Sequence, residues 1–293
     1  MTPAAAQKES PAAMVEGEFV FTEADFRKIA AMVHGDAGIA LPQDKGTLVY
    51  SRLAKRLRAL GLKSFKDYCA LVAGAGGVDE RQRMLAALTT NVTRFFREPH
   101  HFDHLRDQVL PTLARRARSG GRVRLWSAAC SSGQEPYSAA MTLLSVLPEA
   151  ADLDVKILAT DIDPNMVAEA REGVYATTLL AGIPDDLRRR WTLPADAGCV
   201  RMADEARAVV AFRELNLIGD WPMAGLFDAI LCRNVAIYFD DATQSRLWDR
   251  LAGQLAPGGV LYIGHSERVS GPAAQILEPV GVTTYRLSGK AAR

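Results

Sequence analysis

Apolar positions recur with two different periods along this chain, and the change falls near residue 110. Before it the spacing is helical, with apolar residues three to four apart. Thr22 with Asp25 reads as a capping box, and Phe21 with Phe26 takes the N′ and N4 positions of a hydrophobic staple. That first helix is expected to stop near Gly35 or Gly38. A second runs from about Pro42 to Leu60 and ends on Gly61, which tolerates the left-handed turn after a helix. Ser64 with Asp67 opens a short third helix ending before "GAGG", and a fourth covers "DERQRMLAALTTN".

From Arg122 onward the pattern becomes short apolar runs separated by helical stretches. "RVRLWS", "VKILATD", "FDAILCRN" and "GGVLYIGHS" read as strands; "PYSAAMTLLSVL", "NMVAEAREG" and "DATQSRLWDRLAGQL" read as helices. Alternation of this kind implies an α/β fold with a mainly parallel sheet and helices on both faces. Ligands in such sheets sit at the carboxyl ends of the strands, where the strand order reverses. Residues 174–211 break the pattern with Gly182, Pro184, Pro194 and Gly198, and "CVRM" and "AVVAF" are expected to form a small antiparallel hairpin there. The expected limits are a tail over 1–18, a helical domain over 19–92, a linker and helix over 93–110, and an α/β domain over 111–293.

Composition narrows the class without naming a function. The 293 residues are 48% hydrophobic and 24% charged, ordinary for a globular protein that can bury a core. A net charge of +1 argues against a whole-protein footprint for nucleic acid. Cys69, Cys130, Cys199 and Cys232 form no C-x-x-C pair, which fits a reducing compartment with no disulfide framework. No apolar stretch approaches the roughly 18 residues of a membrane span, and the first residues lack a signal-peptide pattern. Their Ala, Pro, Glu and Ser content reads as a disordered tail. A cytoplasmic protein is expected.

Four motifs carry candidate chemistry. In "WSAACSSGQEPYS" small residues around Gly133 sit between a strand and a helix, which lets backbone approach a ligand. An ordinary strand-to-helix turn reads equally well on that stretch alone. Few glycines argue against a pyrophosphate laid on the backbone, and Glu135 would repel a phosphate while welcoming a cation. In "ATDID", Asp161 ends a strand where a carboxylate can take both ribose hydroxyls, and Asp163 with Pro164 caps the next helix. An adenosine-bearing cation without phosphate follows from the pair, and S-adenosylmethionine is such a ligand. "FDAILCRNVAIYFD" places Arg233 and Asn234 at the same sheet edge, with Tyr238 and Phe239 behind them. "NVTRFFREPHHF" supplies Asn91, Thr93 and Arg97; its His100 and His104 stand four apart as zinc ligands can, but no further ligand lies near and no metal is expected.

Taken together, "NVTRFFRE", "WSAACSSGQEPYS", "ATDID", "FDAILCRNVAIYFD" and "GGVLYIGHSE" resemble the motif series of the chemotaxis receptor methyltransferase family, CheR, over residues 20–288. The resemblance implies a Rossmann-like class I methyltransferase domain with a small antiparallel β-subdomain, preceded by an all-helical domain. It implies methyl esterification of glutamate side chains on the cytoplasmic signalling helices of chemoreceptors, with S-adenosyl-L-homocysteine as product and no metal. Carried over by motif, Asn91, Thr93, Arg97, Glu135, Asp161, Asn216, Leu217, Arg233 and Asn234 would line the cofactor site. Arg97 and Tyr238 match the positions beside the transferring methyl group.

On a helical projection Leu53, Leu57 and Leu60 share a face with Tyr50, while Arg52, Lys55 and Arg56 fall opposite, near Lys45. In the family the corresponding helix contacts the acidic methylation region of the receptor. The stretch "WTLPADAGCVRM" is short and has one glycine, unlike members that dock on a receptor's C-terminal pentapeptide, so tethering is in doubt. A monomer is expected. Two rivals stand beside this reading. A methyltransferase for nucleic acid or a small molecule is opposed by the lack of an Asp/Asn-Pro-Pro-Tyr motif and of a Pro-Cys nucleophile. A non-catalytic sensor of the cofactor would bind it without turnover.

Overall fold

The computed structural model describes residues 13–288, which divide into two compact units at Thr89 and Thr90. The first unit carries a short antiparallel pair, β1 (Ala13–Val15) and β2 (Phe21–Thr22), and four helices. These are α1 (Glu23–Ala37), α2 (Gly46–Leu60), α3 (Phe65–Ala73) and α4 (Val78–Leu88). Local chemistry sets their ends. Thr22 Oγ1 accepts from the Asp25 N–H at 3.2 Å and Asp25 Oδ2 accepts from the Thr22 N–H at 3.1 Å, so the capping box forms. Gly38 and Gly61 close α1 and α2 in the left-handed region.

Two expectations for this unit change. The tail read over 1–18 reaches too far, because Ala13–Val15 pairs with β2 and Met14 covers Gly46; residues 1–12 lie outside the described ones. Of the basic trio expected to meet a receptor, two members are engaged within the unit itself. Arg56 makes a two-pronged pair with the buried Glu80 of α4, at 2.9 and 2.5 Å, and Arg52 donates to the Thr89 carbonyl at 2.6 Å. Lys55 is exposed, and so is Leu60, which the projection placed on the apolar face.

The second unit opens with α5 (Pro99–His104) and α6 (Leu110–Arg118). The main sheet then begins: β3 (Val123–Ala128), α7 (Gln134–Val146), β4 (Val155–Asp161) and α8 (Pro164–Glu172). A small lobe intervenes, with β5 (Val174–Ala176), α9 (Asp185–Trp191), β6 (Thr192–Pro194), β7 (Cys199–Met202) and α10 (Asp204–Ala208). The chain returns through β8 (Val210–Glu214), β9 (Phe227–Cys232), α11 (Asp241–Gly253), β10 (Leu255–Ile263), β11 (Leu277–Gly281) and β12 (Thr284–Leu287).

Seven strands form one sheet in the order β11-β12-β10-β9-β3-β4-β8. Five are parallel, and β12 and β11 add antiparallel at one edge. The order reverses beside β3, so the carboxyl ends of β3, β4 and β9 frame a switch point. Helix α7 is buried almost all round, as a helix packed inside a large domain must be. The lobe differs from the expected hairpin. It is a three-stranded antiparallel sheet, β5-β7-β6, and "AVVAF" lies outside it, pairing with β4 in the main sheet from Ile157↔Val210 to Asp161↔Glu214. A partner strand on β4 decides that placement, and its five residues cannot announce it.

Candidate functional site

Backbone strain marks the site before any side chain does. Seven described non-glycine residues have positive φ; among them Ala129, Ser131 and Asn234 lie in the turns after β3 and β9, and Phe96 and Glu98 in the turn that enters α5. Each such residue costs about 1–3 kcal/mol and persists only where its surroundings hold it. In the turn after β3, Ala129 and Ser131 are left-handed around Cys130, and Gly133 has φ 98°. A Cβ on Gly133 would lie 2.6 Å from the Tyr175 hydroxyl and 2.9 Å from Ala170 Cβ, so glycine is required there.

Asp161 holds this turn from β4. Its Oδ2 accepts from the Ser131 N–H at 2.7 Å and its Oδ1 from the Asp163 N–H at 3.0 Å. Burial raises its pKa while those N–H groups oppose the shift. The Ile162 N–H adds to the same pull on this carboxylate. Asn91 joins the same cluster, its Nδ2 donating to Asp163 Oδ2 at 3.1 Å and its carbonyl accepting from Ser131 Oγ at 2.9 Å. Asn216 and Leu217 begin the loop after β8, where the Leu215 N–H donates to the Asp161 carbonyl at 2.9 Å. Arg250, stacked 3.9 Å over Trp221, pins that loop through the carbonyls of Leu217, Ile218 and Gly219.

A second cluster surrounds Arg233, buried at the end of β9. Its guanidinium pairs with Glu135 at 3.1 Å and with Glu98 at 3.3 Å, and it donates to the carbonyl of Arg97. Glu135 also accepts from Ser127 Oγ at 2.7 Å. Burial pushes the Glu135 carboxyl up, against the pull of Arg233 and Ser127. Burial works the same way on Glu98. There Arg233, the His265 ring and backbone N–H, and His101 win, and hold it at about 2.

Sequence reasoning placed Glu135 opposite a cationic ligand and did not see its internal partner. It assigned no role to Glu98 or Glu267, although both stand in quoted motifs. The expectation that no further ligand lies near these histidines is corrected: Glu98 stands beside His100 and His101, while His104 turns to Tyr262. His104 Nδ1 is 3.0 Å from the Tyr262 hydroxyl, and His101 Nε2 is 3.0 Å or less, at 2.9 Å, from Thr283 Oγ1. Ligand atoms of Glu98, His100 and His101 come within 4.8 Å of one another, but Glu98 is already committed to Arg233 and His265.

Arg97 is half-buried, and its Nη1 donates to the Val92 carbonyl at 3.1 Å. Thr93 is half-buried on the same segment. Tyr238, also half-buried, closes a short turn whose N–H donates to the Val235 carbonyl at 3.1 Å. Asn234 lies within reach of Glu98, at 3.5 Å.

An excess of buried negative charge distinguishes this edge of the sheet. Glu135 and Glu98 share one buried guanidinium, Asp161 is held by backbone N–H groups alone, and the turn after β3 offers no glycine-rich cradle for phosphate. That donor set fits an adenosine ligand carrying positive charge.

Comparison with known proteins decides the family. The model described as CheR methyltransferase, SAM binding domain, matches residues 91–286, and the CheR methyltransferase all-alpha domain matches residues 24–89. The chain belongs to the CheR methyltransferase family. It is a chemotaxis-type methyltransferase with a SAM-binding domain (SAM, S-adenosylmethionine). A probable chemotaxis protein methyltransferase of Rhizobium etli is 54% identical over 88% of this chain and 98% of its own. Chemotaxis protein methyltransferase 2 of Pseudomonas aeruginosa is 44% identical, covering 92% and 94%. The Escherichia coli chemotaxis protein methyltransferase is 42% identical, covering 85% and 86%.

The titrations around Arg233 predict how the CheR domain responds to acid. Burial, with Arg233 and His100 beside it, pushes His101 down to about 3 from an ordinary 6.5. Glu98 falls to about 2 from an ordinary 4.5. Both folded values are depressed, so the unfolded chain binds more protons and stability is lost as pH falls. His101 acts from about pH 6.5 down to 3, and Glu98 from about 4.5 down to 2. Each contributes at most about 1.4 kcal/mol per pH unit within its window. Thermal unfolding from pH 7 to 4 should show a falling midpoint that His101→Gln flattens above pH 4.5. Equal slopes for both proteins would contradict the assignment.

Proposed function

We propose that this CheR protein transfers the methyl group of S-adenosylmethionine to glutamate side chains of chemoreceptors, in the cytoplasm. The products are glutamate methyl esters and S-adenosylhomocysteine. The observation that carries this reading is the set of carboxylates at the sheet's carboxyl edge, Glu135 and Asp161 buried and Glu98 half-buried, beside a strand-end turn without a phosphate cradle. When bound, the cofactor supplies an electrophilic methyl group on a sulfonium.

The chain's own residues have a limited task. The acceptor carboxylate, with an ordinary pKa of about 4.3, is already ionised at neutral pH and needs no general base. Asp161 takes the ribose hydroxyls, and the loop of Asn216 and Leu217 lies against the adenosine. Asn91, Thr93, Arg97, Asn234 and the Glu135–Arg233 pair complete the cofactor site. Exclusion of water strips the acceptor and holds the reactants in line. Arg97 and Tyr238 stand beside the methyl group, and Arg97 steers the acceptor. Holding it too firmly would stabilise the ground state instead of the transition state.

Receptor recognition is assigned to the helical unit. Lys55 is the solvated member of the predicted trio there, while Arg52 and Arg56 shape the surface from within. The short connection between β6 and β7 disfavours docking of a receptor's C-terminal pentapeptide, so the enzyme acts untethered, as a monomer and without metal.

Calorimetry should detect both the cofactor and its demethylated product, and Arg97→Ala should lose most turnover, about 10²-fold or more, with a much smaller loss of product affinity. A chain that binds neither ligand at millimolar concentration would defeat the proposal. An Arg97→Ala enzyme with unchanged kcat would remove Arg97 from the reaction.

A further inference from the structure

Glu267 follows β10 and is buried, yet no cationic side chain pairs with it among the described residues. Peptide N–H groups compensate its charge instead. Its Oε1 accepts from Val235 at 2.9 Å and Ala236 at 2.7 Å, and its Oε2 from Asn234 at 2.9 Å and Gly264 at 2.5 Å. Its own N–H donates to the Gly264 carbonyl at 2.9 Å. Asn234 is left-handed and Val235 right-handed, so three successive N–H groups converge on one point. Such a concavity binds anions, and here the chain's own carboxylate fills it.

The turn held this way runs from Arg233 to Tyr238. Arg233 immediately precedes the strained Asn234, and Tyr238 ends the short helical turn that starts at Ala236. Gly264 completes the device. A Cβ there would lie 2.4 Å from Asn234 Nδ2, 2.7 Å from Asn234 N and 2.8 Å from Glu267 Oε2. The carboxylate therefore clips the ends of two neighbouring parallel strands, β9 and β10, at the edge where the cofactor is proposed to bind.

We infer that Glu267 is a positioning residue for methyl transfer: by filling the nest of Asn234, Val235 and Ala236 it sets the placement of Arg233 and Tyr238. The inference rests on the function proposed above for those two residues. Glu267→Gln is the discriminating change, because it keeps the shape and removes half of the acceptor capacity. In either orientation its NH2 faces two of the four N–H donors, and a donor against a donor makes no bond.

Amide hydrogen exchange on the full chain tests the device without reference to cofactor. The amides of Asn234, Val235 and Ala236 should exchange slowly in the unaltered protein. In Glu267→Gln they should exchange about tenfold faster or more, while the core of β9 stays protected. Well below the unfolding midpoint, the same variant should lose roughly tenfold or more in kcat and in product affinity, with the receptor's KM within about threefold. A role in packing alone would lower the midpoint and leave kcat of the folded enzyme intact, which would overturn the inference, as would unchanged exchange. If Glu267→Gln does not fold, Gly264→Ala disturbs the same turn with the carboxylate kept, and the same two comparisons decide. Failure of the unaltered chain to bind product would instead sink the cofactor reading, and the functional half of this inference with it, while the exchange result would still judge the clip.

Discussion

Arg233→Met should be the most damaging single change in the methyltransferase unit. The guanidinium is nearly inaccessible, with its side chain 1% exposed, and it neutralises Glu135 and Glu98 together. Removing it strands two carboxylates in a low-dielectric setting, where they must take up protons or draw in water. Breaking a buried pair in this way costs about 3–5 kcal/mol. For a unit of this size that corresponds to a fall of roughly 6–20 °C in Tm. Arg233→Lys should recover only part of it, since one ammonium cannot span two carboxylates and the Arg97 carbonyl. Adding Glu135→Met to Arg233→Met should restore some stability and none of the affinity for S-adenosylhomocysteine. A single variant within 1 °C of the parent, binding product normally, would show the cluster to be dispensable.

The second large effect is expected at Asp161, through more than ribose. Asp161→Ala leaves the buried Ser131 and Asp163 N–H groups without their acceptor. Each orphaned donor costs about 1–3 kcal/mol. The left-handed Ser131 loses its restraint at the same time, so the turn can relax away from the ligand. Product affinity should fall about 10²-fold or more, a loss of at least about 2.7 kcal/mol, and Tm should fall with it. Asp161→Asn retains one acceptor oxygen and should lie between the two. Unchanged affinity in Asp161→Ala would place the ribose elsewhere.

Features with local causes were legible in the sequence. The Thr22–Asp25 box and the glycines after α1 and α2 are contacts within one turn of chain, so spacing alone exposes them. The central strands were legible because their apolar runs end in polar residues at a common sheet edge. Strand β8 was misplaced because five apolar residues carry no sign of their partner, and β11 and β12 gave no strong run, with Pro279 standing on an edge strand where its missing N–H is tolerated. Arg56 falls opposite the apolar face on a helical projection, and its partner Glu80 was hidden because it lies 24 residues away on α4. The same distance effect hid the site's supports. Glu98 meets Arg233 and Asn234 across 135 and 136 residues of chain, and Glu267 meets backbone N–H groups, which carry no residue-type signal at all.

In the proposed reaction the methyl group ends on a receptor glutamate as an ester. The direct measurement supplies S-adenosylmethionine labelled on its methyl group, with a chemoreceptor encoded beside this gene, and then treats the isolated receptor with mild base. The expected result is label on the receptor that base releases as volatile methanol, and none on a receptor whose methylated glutamates are replaced by alanine. Label that survives base, or that passes to RNA or a small molecule and not to the receptor, would contradict it.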